Sequence, residues 1–298
     1  MRIGIFAGQD SVDDLLAGAR RAEVDGFDSF WIPQIFGADA LSVHTLIGHQ
    51  VPRIELGTAV VPTYPRHPAV LAAQALTVSA VSGSRLTLGI GLSHQMVIEN
   101  MFGYSFERPV RHMREYLAAL LPLLAGEAAD VDGETLSAHL AVTVPGAGPV
   151  PVLIAALGPK MLKLAAEEAA GTVTWMTGPR TLADHTVPTI TAAATEAGTG
   201  DPRIVAALPV AVTGDPEGAR EKAARMFEVY GVLPSYRAML DREGAAGPAD
   251  VALVGSAEEV RAGIAAMRDA GVTDFVAVEF HASGPVFEET RGLLRDLL

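Results

Sequence analysis

The sequence predicts a (β/α)8 barrel, a TIM barrel with insertions at its C-terminal face, in a single domain over residues 1–298. Three observations carry this expectation. Apolar segments of strand length alternate with helical patterns along the whole chain. Several of those segments are unbroken apolar runs, as parallel strands buried on both faces require. The composition is 49% hydrophobic but only 6% aromatic, which fits a tightly wound α/β protein better than a β-sandwich. At roughly 150 residues per domain the length would allow two domains, but α/β barrels of this size often form one. The structural alternative is an open doubly wound sheet. It usually needs fewer strands, and a dinucleotide-binding member would carry a glycine fingerprint after its first strand. Here Gly4-Ile5-Phe6-Ala7-Gly8-Gln9 does not match G-x-G-x-x-G.

The elements follow in order. Residues 3–6 are the first strand; Ser11, with Asp14 three positions on, starts a helix that Gly26 stops. Residues 29–32 form the second strand, followed by a helix over 40–49. The third strand is expected over 54–61, and Pro68 opens the next helix, which ends near Gly83. The fourth strand, 86–90, precedes helical stretches at 95–101 and 109–124. An excursion over 131–144 has Asp132-Gly133 at a hairpin turn. The fifth strand is 152–155 with a helix over 159–170, and the sixth is 173–175 with a helix after Gly178-Pro179. The seventh is 204–212, with helices after Pro216. Ser256 and Glu259 form a capping box for a helix ending at Gly271, and 275–278 is the eighth strand, before a last helix.

Composition narrows the function. A formal net charge of −13 repels nucleic-acid phosphates and anionic lipid heads. With no cysteine, disulfides, thiolate catalysis and cysteine-ligated metals are excluded. No histidine pair has metal-ligand context, so no metal site is expected. No signal-peptide core or long apolar run is present, and the expectation is a cytoplasmic protein that meets neither membrane nor nucleic acid.

Barrel enzymes place their chemistry after the C-terminal ends of the strands. There the chain offers Pro33-Gln34, Thr63-Tyr64, Arg66-His67, Ser93-His94, Leu157-Gly158-Pro159 and Thr177-Gly178-Pro179. The two Gly-Pro steps each open a helix whose free N–H groups suit a phosphate or carboxylate, although Gly-Pro also serves as plain loop punctuation.

The third and fourth units carry a resemblance. Arg53-Ile54-Glu55-Leu56-Gly57-Thr58-Ala59-Val60 runs on into Arg66-His67-Pro68, and Ser82-Gly83-Ser84-Arg85 into Leu88-Gly89-Ile90-Gly91. Together with Gly26-Phe27-Asp28-Ser29-Phe30-Trp31, with residues 152–159 and with 255–260, this resembles the luciferase-like monooxygenase superfamily over nearly the whole chain, in the branch using the deazaflavin coenzyme F-420. The loops after the second, fourth and sixth strands resemble an actinobacterial subgroup of that branch. The resemblance implies a barrel, an oxidoreductase, a small-molecule substrate and a homodimer through helices after the early strands. It implies a bulge with a non-prolyl cis peptide at Ala59-Val60 and a seat for the deazaflavin ring at Thr58, Ala59 and Val60. The coenzyme phosphate would lie at Ala156, Leu157, Gly158 and Pro159, and near Thr177 and Gly178. Ser93 and His94 would lie along its tail or ring edge. Trp175 and Met176 either pack on the ring or fill the core.

One departure matters. Where several members carry an Asp-His pair that assists proton transfer, this chain has Gln34-Ile35. Glutamine can hydrogen-bond a ring or a carbonyl but cannot act as an acid or base. The catalytic candidates are therefore Gln34, His94 and His67, with Asp39 and Tyr64 behind them. His67 equally suits a helix cap, Asp39 suits one better, and Arg108, Arg111 and Arg114 form a solvated or subunit-facing stripe. His44 either faces the mouth or packs; His112, His139, His185 and His281 are read as surface or structural. The expected reaction is hydride transfer between coenzyme F-420 and a carbonyl, imine or activated alkene. The alternatives are an FMN-dependent two-component monooxygenase and a non-catalytic flavin-binding barrel.

Overall fold

A computed structural model describes every residue except Gln9 and Ala282; Gln9, which closes the unmatched glycine pattern, lies outside the described residues. The strands are β1 (Arg2–Phe6), β2 (Ser29–Ile32), β3 (Glu55–Thr58), β4 (Val61–Pro62), β5 (Leu86–Gly91), β6 (Ala128–Asp132), β7 (Ser137–Ala141), β8 (Val152–Ala155), β9 (Gly171–Trp175), β10 (Arg203–Val212), β11 (Leu253–Gly255) and β12 (Asp274–Glu279). The helices are α1 (Val12–Asp25), α2 (Ala40–Gln50), α3 (Pro68–Ser82), α4 (Pro109–Leu124), α5 (Pro159–Glu168), α6 (Pro179–Thr181), α7 (Val187–Ala197), α8 (Pro216–Met226), α9 (Pro234–Glu243), α10 (Ala257–Asp269) and α11 (Pro285–Arg295). Strands β1, β2, β3, β5, β8, β9, β10 and β12 pair in that order, all parallel, and β12 closes back onto β1. This is the (β/α)8 barrel. Among the described residues no helix is long and apolar enough to cross a membrane.

Local chemistry sets the boundaries. The Ser11 hydroxyl accepts from the Asp14 N–H, and Gly26 ends α1 in the left-handed region at φ 94°. Ser256 and Glu259 make the reciprocal capping box of α10. The 128–141 excursion is an antiparallel hairpin, β6 with β7.

Three details differ from the sequence reading. The third strand, expected as one strand over 54–61 with a bulge, is split into β3 and β4 at Ala59-Val60, whose peptide bond is cis as the resemblance implied. Two glycines of β5 make room for this bulge. A Cβ on Gly89 would stand 2.0 Å from the Thr58 carbonyl oxygen, and one on Gly91 would stand 2.7 Å from the Val60 side chain. The helical stretch after β5 is a π turn (Val97–Met101). A short strand, β11, pairs with β10 outside the ring of eight, because β10 runs longer than its barrel neighbours need.

The barrel interior is filled in layers. At the N-terminal ends of the strands lie Arg203, Asp274, Glu55 and Thr87, joined by hydrogen bonds. Above them is an apolar layer containing Trp31, Leu153, Val173, Val205 and Val276. The Trp31 ring lies across Gly57, where a Cβ would be 2.2 Å from the indole, and its N–H donates to the Ser29 hydroxyl at 2.8 Å. Phe6, Ala59, Val60, Ala155 and Trp175 pack on top, only partly covered, and form the floor of the C-terminal mouth.

Candidate active site

The mouth floor is nonpolar because of the bulge. Breaking the third strand after Thr58 places Ala59 and Val60, both half-buried, among the upper interior residues. Thr58 anchors the turn: its hydroxyl donates to the Gly89 carbonyl at 2.8 Å and accepts from the Gly89 N–H at 2.9 Å. The Trp175 ring stacks on Phe6 with centroids 5.9 Å apart, and its indole N–H is buried without a hydrogen-bond partner.

Two residues at strand ends, Ser93 (φ 60°) and Met176 (φ 52°), take left-handed backbone conformations uncommon for side-chain-bearing residues. Both were drawn from the sequence as cofactor contacts. Ser93 is half-buried beside His94, whereas the Met176 side chain is fully buried and belongs to the core. Burial lowers the pKa of His94, so its imidazole is neutral at neutral pH.

The two Gly-Pro helix starts are unlike. At Gly158 no side chain caps α5, the residue is exposed, and a Cβ there would meet nothing within 4 Å. Lys160 stands exposed in the first turn. At Gly178 the position is filled: the Glu243 carboxylate accepts from the Arg180 and Thr181 N–H groups at 3.1 and 2.7 Å. Thr177 is buried, and its hydroxyl donates to the Trp175 carbonyl. Of the two anion sites read from the sequence, only the one at Leu157-Gly158-Pro159 stands open; His185 braces its loop by bonding the Leu157 carbonyl at 2.8 Å.

The three catalytic candidates are also sorted by their contacts. The Gln34 side-chain oxygen accepts from the Ala40 N–H at 2.7 Å, so it holds the start of α2. His67 caps α3: Nδ1 accepts from the Ala69 N–H at 3.2 Å, and Nε2 lies 3.0 Å from the Ser137 carbonyl, to which it donates. With both ring nitrogens engaged, His67 serves as a helix cap. Asp39 caps α2 through Ser42 and pairs with Arg66 at 2.6 Å. His94 alone keeps its ring free for the mouth, half-buried with its centroid 5.6 Å from Tyr236.

Some neighbours of the site were not singled out. His112 is buried; its Nε2 lies 3.0 Å from the Thr63 hydroxyl, and its ring stacks on Tyr64 at 3.9 Å. Burial pushes its pKa down to about 4 and that of Tyr64 up to about 12. Tyr230 and Tyr236 reach the mouth from the long segment after β10. Their signal was visible: Phe227, Tyr230 and Tyr236 cluster within ten positions of a chain that is only 6% aromatic. Glu243 had no such signal, since its partner backbone lies 62 positions away.

The fold and mouth define an α/β barrel with a nonpolar floor and an open helix start at its rim. Residues 1–274 match the model of the luciferase-like monooxygenase family, and the chain belongs to it. Over 173 residues it is 36% identical to a 5,10-methylenetetrahydromethanopterin reductase of Methanolobus tindarius, covering 57% of this chain and 53% of that one. The chain thus spans about half the length of this curated relative. Two solved structures share the whole fold. An F-420-dependent secondary alcohol dehydrogenase in complex with an F-420–acetone adduct superposes with a TM-score of 0.83 at 21% identity, covering 100% of this chain and 98% of that one. A coenzyme F-420-dependent tetrahydromethanopterin reductase from Methanopyrus kandleri gives 0.82 at 22% identity, covering 99% and 97%.

Proposed function

We propose that this chain is a coenzyme F-420-dependent oxidoreductase that exchanges a hydride between the deazaflavin and a small organic substrate. The observation that carries the reading is the pairing, in one mouth, of the half-buried Ala59-Val60 floor with the open helix start at Gly158. A flat ring with a phosphate-bearing tail needs both. The family match and the names of the relatives point the same way. When bound, the reduced deazaflavin supplies a two-electron hydride equivalent.

The residues divide the work. Ala59, Val60 and Trp175 hold the ring flat and exclude water from one face. The N–H groups at the start of α5, with Lys160, receive the phosphate. Ser93 and His94 stand on the adjacent loop, after β5, the strand that pairs with β8. His94, kept neutral by burial, takes the proton from a substrate hydroxyl in the oxidation direction. Its pKa lies below the ordinary value of about 6.5, so this role holds above that pH and is lost on the acid side.

Titrating the purified protein with F-420 and, separately, FMN, while following cofactor fluorescence, tests the reading. Micromolar F-420 binding with much weaker FMN binding is expected. Tight FMN binding without an F-420 response would put the family's monooxygenase chemistry in its place. We also propose a homodimer through α2 and α3, whose groove is lined by Leu41, Thr45, Ala73 and Gln74 and flanked by exposed Leu46 and Val70. The Gln74 side-chain oxygen is buried there without a partner. Sedimentation should show a dimer, and Gln74→Arg should yield monomer.

A further inference from the structure

The mouth is aromatic on a scale the rest of the chain is not. From His94 after β5, the rings run to Tyr236 at 5.6 Å, Tyr230 at 5.0 Å, Trp175 at 5.7 Å and Phe6 at 5.9 Å. Tyr236 belongs to the segment after β10, so this segment passes over β8 and β9 to reach the loop after β5. Tyr230 stands nearly perpendicular to both neighbours, at interplanar angles of 79° and 80°, and so makes a corner between them. Each ring in the run is only half-buried and keeps surface free. Across the opening, Phe36 and Phe102 touch at 6.5 Å while remaining 64% and 41% exposed, an apolar lip with no cover among the described residues.

The same walls carry little positive charge. Burial favours the neutral imidazole of His94 and the protonated hydroxyls of Tyr230 and Tyr236. Arg66 pairs with Asp39 through Nη2 and is largely covered, and the carboxylate of Glu99 lies in the π turn beside the lip. Lys160 belongs to the phosphate-binding start of α5. Among the described residues of these walls, an anionic substrate would face the Glu99 carboxylate, while a flat neutral one would find ring faces and edges to stack on.

From this geometry we infer that the substrate is an uncharged, flat aromatic molecule, held between the Tyr230–Tyr236 corner and the Phe36–Phe102 lip. The inference rests on the proposed function for the chemistry but not for the binding. Calorimetry with acetonaphthone, acetone and pyruvate, with and without F-420, tests it. Acetonaphthone should bind at least about tenfold tighter than acetone, and pyruvate no tighter than acetone. Tyr236→Leu should weaken acetonaphthone about tenfold and leave F-420 affinity within about twofold, while Tyr236→Phe, which keeps the ring, should behave as the parent. Tighter binding of pyruvate, no binding of acetonaphthone in either form, or an unchanged preference in the folded leucine variant would overturn the inference. A protein that ignores F-420 yet prefers acetonaphthone would sink only the cofactor reading. One that binds F-420 without the aromatic preference would sink only this one.

Discussion

The two ends of the barrel are built on opposite principles. At the N-terminal end the charged groups that fill the barrel are paired with one another. Arg203 makes a two-pronged bond to Asp274 at 3.0 and 2.6 Å and also reaches Glu55 and Thr87, at 2.7 and 3.0 Å. Arg2 adds contacts to Glu55, Asp28 and Asp274. At the C-terminal end Gln34, His67 and Glu243 hold helix starts, while the His94 ring and the start of α5 stand uncommitted. The closed end ties the ends of strands β1, β3, β5, β10 and β12 together. The open end spends that rigidity on a site whose groups wait for a ligand.

The largest expected effect tests the closed end. Burial works against the Arg203 charge, but hydrogen bonds from Asp274 and Glu55 and their fields more than offset it and raise its pKa. Arg203→Met leaves Asp274, whose side chain is only 2% exposed, without its main partner. Breaking such a pair typically costs about 3–5 kcal/mol. Chemical denaturation should show that loss, while F-420 affinity, measured where the variant is still folded, should be unchanged. A variant as stable as the parent would mean the network is ornamental.

Next comes acid. His44, bonded through Nε2 to the Gly57 carbonyl at 2.8 Å, and His112 are both buried and neutral, with pKa values pushed by burial down to about 4. In the unfolded chain each titrates near 6.5. The unfolded state therefore binds more protons between those values. Stability conferred by the neutral rings is fully present above about pH 6.5 and is lost as pH falls toward 4, by on the order of 3 kcal/mol for each ring if the full difference is expressed. The melting temperature should fall across that window. His112→Gln should flatten part of the fall; a profile identical to the parent's would show that His112 titrates normally.

Much of the closed half was legible in the sequence, because its signals are local or steric. Arg85, in the Ser82-Gly83-Ser84-Arg85 stretch, gathers the carbonyls of Gly48, Val51, Ile54 and Ser82. Gly89 and Gly91 are required by the bulge they face. These same residues carried the family resemblance, so the most readable part of the chain is scaffold. The open half was legible only as a set of loops. Whether His67 caps or catalyses depends on the Ser137 carbonyl, 70 positions away. Whether a Gly-Pro step is a free anion site depends on what folds onto it. His112 was readable as structural, but nothing in its helix announces its partners Thr63 and Tyr64.

A third prediction separates the ends directly. Gly158 sits at φ −85° in open space, so any side chain fits. Gly158→Glu adds a carboxylate at a helix start, where it stabilises by about 0.3–1 kcal/mol. The same charge repels an incoming phosphate. Stability should hold or rise while F-420 affinity falls at least about tenfold. Equal affinity in parent and variant would place the coenzyme phosphate elsewhere.

The smallest effect probes the contrast within the mouth itself. Glu243 fills the second Gly-Pro helix start so closely that a Cβ on Gly178 would lie 2.4 Å from its carboxyl carbon. Glu243→Gln keeps an oxygen for the Arg180 and Thr181 N–H groups but removes the charge, and a weakened cap of this kind costs about 1 kcal/mol. If the chain's own carboxylate is a permanent fixture, F-420 affinity will not move and only the melting temperature will drop. If affinity instead rises in the variant, Glu243 competes with the coenzyme phosphate for this position. The mouth would then hold two anion sites, one of them self-occupied until ligand arrives, and the distinction between an open and a filled helix start would dissolve.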